Sequence, residues 1–225
     1  MIIKFSFLLF FASLSIGMGN ASSLHETKMN TYNESSLSND SIYKNELLLL
    51  KAWRAGAIIS KTTIEKVGTA ACFQQESITP TLFKRINTKS YKSNCTIPLK
   101  DLRYLKVLHY DQDGRIHLGE LICNKEISND LLAIFRQLYE SHYPIERMTL
   151  IDNYNANDEL SMQHNNTSCF NFRKIKGTKI ISKHSAGRAV DINPLYNPCV
   201  KKRNGRLQCQ PQTAKKYMDR TKTYP

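Results

Sequence analysis

The sequence has no CxxC pair, no internal repeat, a single tryptophan and only one long apolar run. The first absence removes the ligand spacing of a zinc ribbon. The last leaves nothing beyond the N-terminus that could cross a bilayer. The one apolar run extends from Phe5 to about Ile16, follows Lys4 and leads into small residues, which is the layout of a secretory signal. It is shorter than the roughly 20 residues of a spanning helix, and no cysteine stands directly behind it to carry a lipid, so no stable membrane anchor is expected.

The segment behind the signal is rich in Asn and Ser and poor in apolar residues, too few to offset the entropy of ordering them. The expected division is a signal over residues 1–19, a low-structure linker over 20–45 and one globular domain over 46–225. At 225 residues in all, with 41% hydrophobic, the chain can bury one substantial core, given domains of roughly 100–200 residues. Six cysteines, all beyond the linker, fit an exported protein in an oxidising compartment, periplasmic or extracellular. Cys72 with Cys95 and Cys199 with Cys209 are the expected pairs, because each would close a polar loop.

Thirty-two Lys and Arg against 19 Asp and Glu give a formal charge of +13, which favours an acidic partner. The basic residues are scattered, however, and only "CVKKRNGRLQC" concentrates them, without the interleaved aromatics of a single-strand binding face. That run reads as a solvated loop or a polyanion contact. No nucleic-acid partner is expected, and the chain is expected to be a monomer.

The fold class expected is α+β, a small antiparallel sheet flanked by helices. In "DLRYLKVLHYDQDGRIHLGELICN" Tyr104, Lys106, Leu108 and Tyr110 alternate with Leu105, Val107 and His109, Asp113-Gly114 supplies a turn and "RIHLGELIC" alternates again, a β-hairpin signal. "SNDLLAIFRQLYESHYP" predicts an amphipathic helix of about four turns, capped by Ser128 and stopped by Pro144. "IERMTLIDNY" and "GRAVDINP" read as further strands. "ELLLLKAWRAGAIISKTTIEKV" is one helix or two short elements, its apolar residues being too continuous to show a period.

The chemistry centres on "SKHSAGRAVDINPLYNP", Ser182 to Pro198. Gly187 permits a sharp turn, after which Asp191 can converge with His184 on one ion while Val190 and Ile192 face the core. Imidazole and carboxylate are ordinary zinc ligands. Taken alone, a His and an Asp this close are more often a capped turn entering a buried strand than metal ligands.

The form SxHxxGxAxD resembles the M15 family of zinc D-alanyl-D-alanine carboxypeptidases and L-alanyl-D-glutamate endopeptidases. "DLRYLKVLHYDQDGRIHLGELICNKEI", "YPIERMTLIDNY", "DELSMQHNNTSCFNFRKI", "INPLYNPCV" and the stretch through "YMDRTKTYP" resemble successive blocks of the same core, over roughly Cys72 to Pro225. The resemblance implies a Hedgehog/DD-peptidase-like fold, zinc (Zn2+) as cofactor, and His184 and Asp191 as metal ligands. It implies that Arg173 sits over the scissile carbonyl and stabilises the developing oxyanion; a surface salt bridge is the plainer reading of that residue. Ser182 and Asn193 would support the ligand loop by hydrogen bonds, whereas His117 reads as a packed structural histidine. The activity implied is hydrolysis of peptidoglycan stem-peptide bonds, with zinc polarising the carbonyl and a glutamate taking the proton of the attacking water.

That glutamate and a third ligand, a histidine, belong in the family to a final block resembling "DYxHFE". After His184 this sequence has neither a histidine nor a glutamate. The expectation is a C-terminally shortened peptidase core of doubtful activity, unless His117 or His164 completes the site. The rival readings are a non-catalytic module that holds peptidoglycan peptides and a polyanion-binding protein.

Overall fold

The computed structural model describes residues 39–175, 177–203 and 205–222. The signal and most of the linker therefore lie outside the described residues. The chain divides into two units, Met1–Ile42 and Tyr43–Pro225. Residues 39–42 of the first unit are helical. In the second unit helix α1 covers residues 43–52, so the last part of the expected linker is helical. No described helix is long and apolar enough to cross a membrane.

The centre of the second unit is the predicted hairpin. Strands β3 (Leu102–Tyr110) and β4 (Ile116–Asn124) pair antiparallel from Leu102↔Asn124 to Tyr110↔Ile116. Asp111 ties the turn between them. Its Oδ1 accepts from the amides of Asp113 and Arg115, and its Oδ2 from Arg115 Nε (2.7 Å) and His117 Nε2 (2.8 Å). Strand β1 (Ile58–Ile59) joins β4, and β2 (Gln74–Ser77) joins β3, giving the order β1-β4-β3-β2 with antiparallel neighbours throughout.

Alternation along the hairpin serves two cores. Leu102, Tyr104, Leu108, Leu118 and Ile122 face a cluster that includes Trp53, Ile64 of α2 (Lys61–Val67) and Leu82 and Ile86 of α3 (Pro80–Ile86). Leu105, Val107, Leu121 and Cys123 face the opposite way, against Leu131 and Phe135 of α4 (Ser128–Glu140) and against Ile145, Met148 and Cys169. A sheet buried on both faces this way makes three layers. The ambiguous "ELLLLKAWRAGAIISKTTIEKV" resolves into α1, β1 and α2, with Glu46 accepting from the amide and hydroxyl of Ser60, the α2 N-cap.

Several sequence expectations need correction. Ser128 is the first residue of α4 rather than its cap: a 3-10 turn over Lys125–Ile127 precedes it, capped by the Asn124 side chain on the Glu126 amide. "IERMTLIDNY" forms one bridge, Arg147↔Asn166, before a 3-10 turn at Ile151–Tyr154, and "GRAVDINP" forms one bridge, Ser168↔Asp191. Neither becomes a strand, because several segments share the outer edge of β4 and each holds it for a residue or two. Along that edge Leu118 bonds to Gly56 and Ala57, the Glu120 amide to Met148, the Ile122 carbonyl to Phe170 and the Asn124 amide to Gly187.

All six cysteines carry free thiols. In the pairing of β5 (Cys199–Arg203) with β6 (Arg206–Gln210), Cys199 lies opposite Gln210 and Cys209 opposite Val200. The two thiols therefore sit on opposite faces of the hairpin, Cys199 exposed and Cys209 buried. Cys72 and Cys95 adjoin the same core, but their sulfurs turn to different carbonyls, those of Gly68 and Ile97.

One buried charge holds the layers together. Glu120 is 1% exposed and takes both Arg85 guanidinium nitrogens (2.9 and 2.7 Å), the Tyr104 hydroxyl (2.6 Å) and the Leu150 amide (3.2 Å). Arg85→Ala should lower stability by about 3 kcal/mol, the low end for breaking a buried pair, because Arg85 itself is 39% exposed. Urea denaturation reads this as a lower midpoint at unchanged slope. A midpoint equal to that of the parent would show that Glu120 does not depend on Arg85.

Candidate metal centre

His184 lies on a 3-10 turn, Lys183–Ala186, whose first amides need an outside acceptor. Ser182 supplies it, its Oγ accepting from the His184 amide at 3.3 Å. The turn ends at Gly187, φ 65°, where the chain docks against the end of β4. A Cβ at this position would lie 2.8 Å from the Asn124 nitrogen and 3.1 Å from the Cys123 carbonyl carbon. Only glycine permits both the left-handed turn and so close an approach. Beyond it Asp191 exchanges backbone hydrogen bonds with Ser168, while Val190 and Ile192 pack on the second core.

These two anchors bring His184 Nε2 to 3.2 Å from Asp191 Oδ2. The other ring nitrogen, Nδ1, is 2.7 Å from the Cys169 carbonyl. A carbonyl only accepts, so Nδ1 carries a proton in either charge state; a neutral ring has its lone pair at Nε2, on the side of Asp191, whereas the metal-free hydrogen bond to Asp191 takes a second proton there. An outer carbonyl that sets the tautomer in this way is what a metal-ligating histidine ordinarily has. The separation fits as well: two ligands at about 2.0–2.1 Å on a tetrahedral ion lie roughly 3.3 Å apart. His184 and Asp191 thus suit one zinc ion as two of its ligands. Among the described residues no group of three His, Cys, Asp or Glu side chains could hold a metal.

Without a metal, the two groups hold each other's charge. Burial alone would push the His184 pKa down, but the hydrogen bond and charge of Asp191 raise it above the ordinary imidazole value. For Asp191, burial would raise the pKa, and His184 together with the more distant Arg173 holds it below the usual carboxylate range.

Arg173 enters through its backbone. Its amide donates to Ser185 Oγ (2.8 Å), and its carbonyl accepts from the Ser182 amide (3.0 Å) and from Ser185 Oγ (2.8 Å). The guanidinium pairs with Asp158 at 2.6 Å, and its buried Nε has no partner among the described residues. It borders a cavity of about 280 Å³ walled by Ile175, Cys199, Lys201, Gln208 and others, a wall that does not include His184 or Asp191. Asn193 works at a distance from the pair, accepting from the Glu146 amide and donating to the Pro144 carbonyl. His117 bonds to Asp111 and Gly56 at the hairpin turn, and His164 is exposed with its ring on the Leu160 carbonyl. The role of the Cys169 carbonyl was not legible in the sequence, since a main-chain atom leaves no residue signature. That of Asp158, inside "DELSMQ", would have needed the fold to bring it to Arg173.

Residues 176–224 match the model of an M15 peptidase family described as D-alanyl-D-alanine carboxypeptidase. The match takes in both His184 and Asp191 but a minor part of the chain. No curated protein and no solved structure matches.

The coupled pair predicts a sign. In the metal-free protein the raised His184 pKa contributes stability below the ordinary value near 6.5, lost as pH rises through the folded value. The depressed Asp191 pKa contributes stability above about 4, lost as pH falls through its folded value. Asp191→Asn should therefore move the His184 titration, followed by NMR of its ring protons, to lower pH. An unmoved titration would mean that the carboxylate does not face the ring in solution.

Proposed function

We propose that the chain is a zinc-dependent peptidase core of the M15 type, exported and acting on peptidoglycan stem peptides as a D,D-carboxypeptidase or an L,D-endopeptidase, on a Hedgehog/DD-peptidase-like fold. The observation that carries the reading is the His184–Asp191 pair. It lies inside the matched segment, with a separation and a tautomer suited to one metal ion.

Zinc bound there would supply Lewis-acid polarisation of a peptide carbonyl and a more acidic bound water. The chain's own residues do the rest. The Cys169 carbonyl orients the imidazole, and Ser182 and Gly187 hold the turn that presents it. The charge of Arg173 reaches both ligands and would favour negative charge developing on a substrate oxygen, although its ion pair with Asp158 offsets much of that field. Among the described residues no third His, Cys, Asp or Glu side chain joins the pair as a ligand. That observation favours a second reading, a module that holds peptidoglycan peptides without cutting them.

The two readings part on metal binding and cleavage. Two protein ligands leave the remaining coordination positions to water, so the 225-residue chain should bind zinc weakly and hydrolyse stem peptides little or not at all. A chain extended by a family-type block carrying glutamate and histidine should bind zinc at least tenfold more tightly and gain hydrolysis, and His184→Ala should abolish both gains. Zinc affinity by competition with a chromogenic chelator, and release of D-alanine or of a cleaved stem peptide, are the measurements. An extended chain that binds stem peptide but neither binds zinc nor cleaves would favour the binding module.

A further inference from the structure

Lysine and arginine are spread along the whole chain, but the acids are not. Residues 173–222 hold 14 of the 32 Lys and Arg and only two of the 19 Asp and Glu, Asp191 and Asp219, so +12 of the net +13 lies there. Arg173 is taken by Asp158, Arg188 by Glu126 and Lys222 by Asp219. Lys174, Lys179, Lys183, Lys201, Lys202 and Arg206 are exposed, and none of them makes an ion pair with a described residue.

Five of those six belong to two tight hairpins. In the first, residues 173–175 run back beside 180–182: the Ser182 amide bonds to the Arg173 carbonyl, Lys174 bridges Ile181 and the Ile175 amide reaches the Ile180 carbonyl (2.8 Å). The second is β5–β6, with Lys202 opposite Leu207. They stand side by side, Ile175 and Thr178 of one and Lys201 and Gln208 of the other walling the cavity of about 280 Å³ that Arg173 borders. Their tips are built alike. Each turns on a glycine with φ 75°, Gly177 in "KGTKI" and Gly205 in "RNGRL", and each sequence sets a cation at both ends of the turn with an aliphatic residue directly behind it. That aliphatic side chain stands in water both times, Ile180 being 64% and Leu207 65% exposed. Ile181 and Val200 join them, so four of the ten large hydrophobics exposed among the described residues stand in two hairpins that hold no acid.

Aliphatic area gains by leaving water, and the cations around it gain beside negative charge. A soluble phosphate polymer would serve the cations and leave the aliphatic residues in water. A second copy of the chain docked through the same hairpins would set cation against cation. An anionic lipid surface serves both, its phosphates meeting the lysines while the apolar tips enter the boundary between headgroups and acyl chains. We propose that the paired hairpin tips dock the chain reversibly on an anionic phospholipid surface, Ile180 and Leu207 entering its interfacial layer. The first hairpin runs on into the His184 turn, and Ile180 is four residues from His184, at most roughly 14 Å of chain. A docked chain therefore holds the candidate metal centre close to the headgroups, while the docking itself needs neither a metal nor the peptidase reading.

The exported chain, without the signal over residues 1–19, whose apolar run would enter a bilayer unaided, is sedimented with vesicles of equal parts phosphatidylglycerol and phosphatidylcholine. Binding about tenfold tighter than to phosphatidylcholine alone is expected, weakening as added salt shortens the Debye length to about 3 Å. Lys202→Gln with Arg206→Gln should weaken it about 25-fold, at about fivefold for each cation near the surface. Ile180→Asn with Leu207→Asn keeps every charge, alters positions that packing does not require, and should weaken it about tenfold by removing the inserted apolar area. His184→Ala should bind vesicles as the parent does, so failure of the peptidase reading would leave this one standing. Equal binding to both kinds of vesicle, or none to either, would overturn the proposal. So would an Ile180→Asn, Leu207→Asn chain that binds as tightly as the parent, by showing a site for phosphate polymers, and so would a parent chain that dimerises through these hairpins instead of binding vesicles.

Discussion

The close approach of Gly187 to the end of β4 is the constraint on which the candidate centre depends. The Asn124 amide, the last donor on that edge, reaches the Gly187 carbonyl at 2.8 Å, and no side chain could fit between. Asn124 is committed twice over, for its side chain also caps the turn that launches α4 and donates to the Ala186 carbonyl. One residue therefore sets the start of a helix and the height of the ligand turn above the sheet. His184 inherits its position from that contact, and Asp191 from its exchange with Ser168.

The chain after Asp191 binds the two halves of this layer. Asn193, held at φ 45°, bonds both to the Glu146 amide and to the Pro144 carbonyl, and the Leu195 amide reaches Asn165. The run that begins as a ligand loop ends as a brace beside the β3–β4 turn, where Tyr196 orients Glu146.

The hairpin and α4 were legible because their periodicity is local: Leu105, Val107, Leu121 and Cys123 alternate as a strand must, and Leu131, Phe135 and Tyr139 recur at helical spacing. Pairing of His184 with Asp191 was legible from a short motif and the glycine inside it. What could not be read was anything decided by distant partners. "IERMTLIDNY" has the composition of a strand, yet it meets β4 chiefly through the Met148 carbonyl because Phe170 and Gly187 occupy the following positions. The proposed thiol pairs failed for the same reason, since strand register places Cys199 and Cys209 on opposite faces. The role of Arg173 came from the family resemblance; that Asp158 would claim its guanidinium depended on where α5 (Asp158–Gln163) packs.

Sharing the outer edge of β4 among four separate stretches has a consequence for the behaviour of the protein in crowded solution. An open strand edge is a template on which another chain can lay a strand of its own, the first step of aggregation. Here one edge offers a two-residue β1 followed by backbone groups already taken by irregular chain, with no straight ladder to extend. The other edge is β2, four residues long, with the polar sequence QQES. A sheet with so hydrophobic a hairpin at its centre is thus denied self-association at both margins.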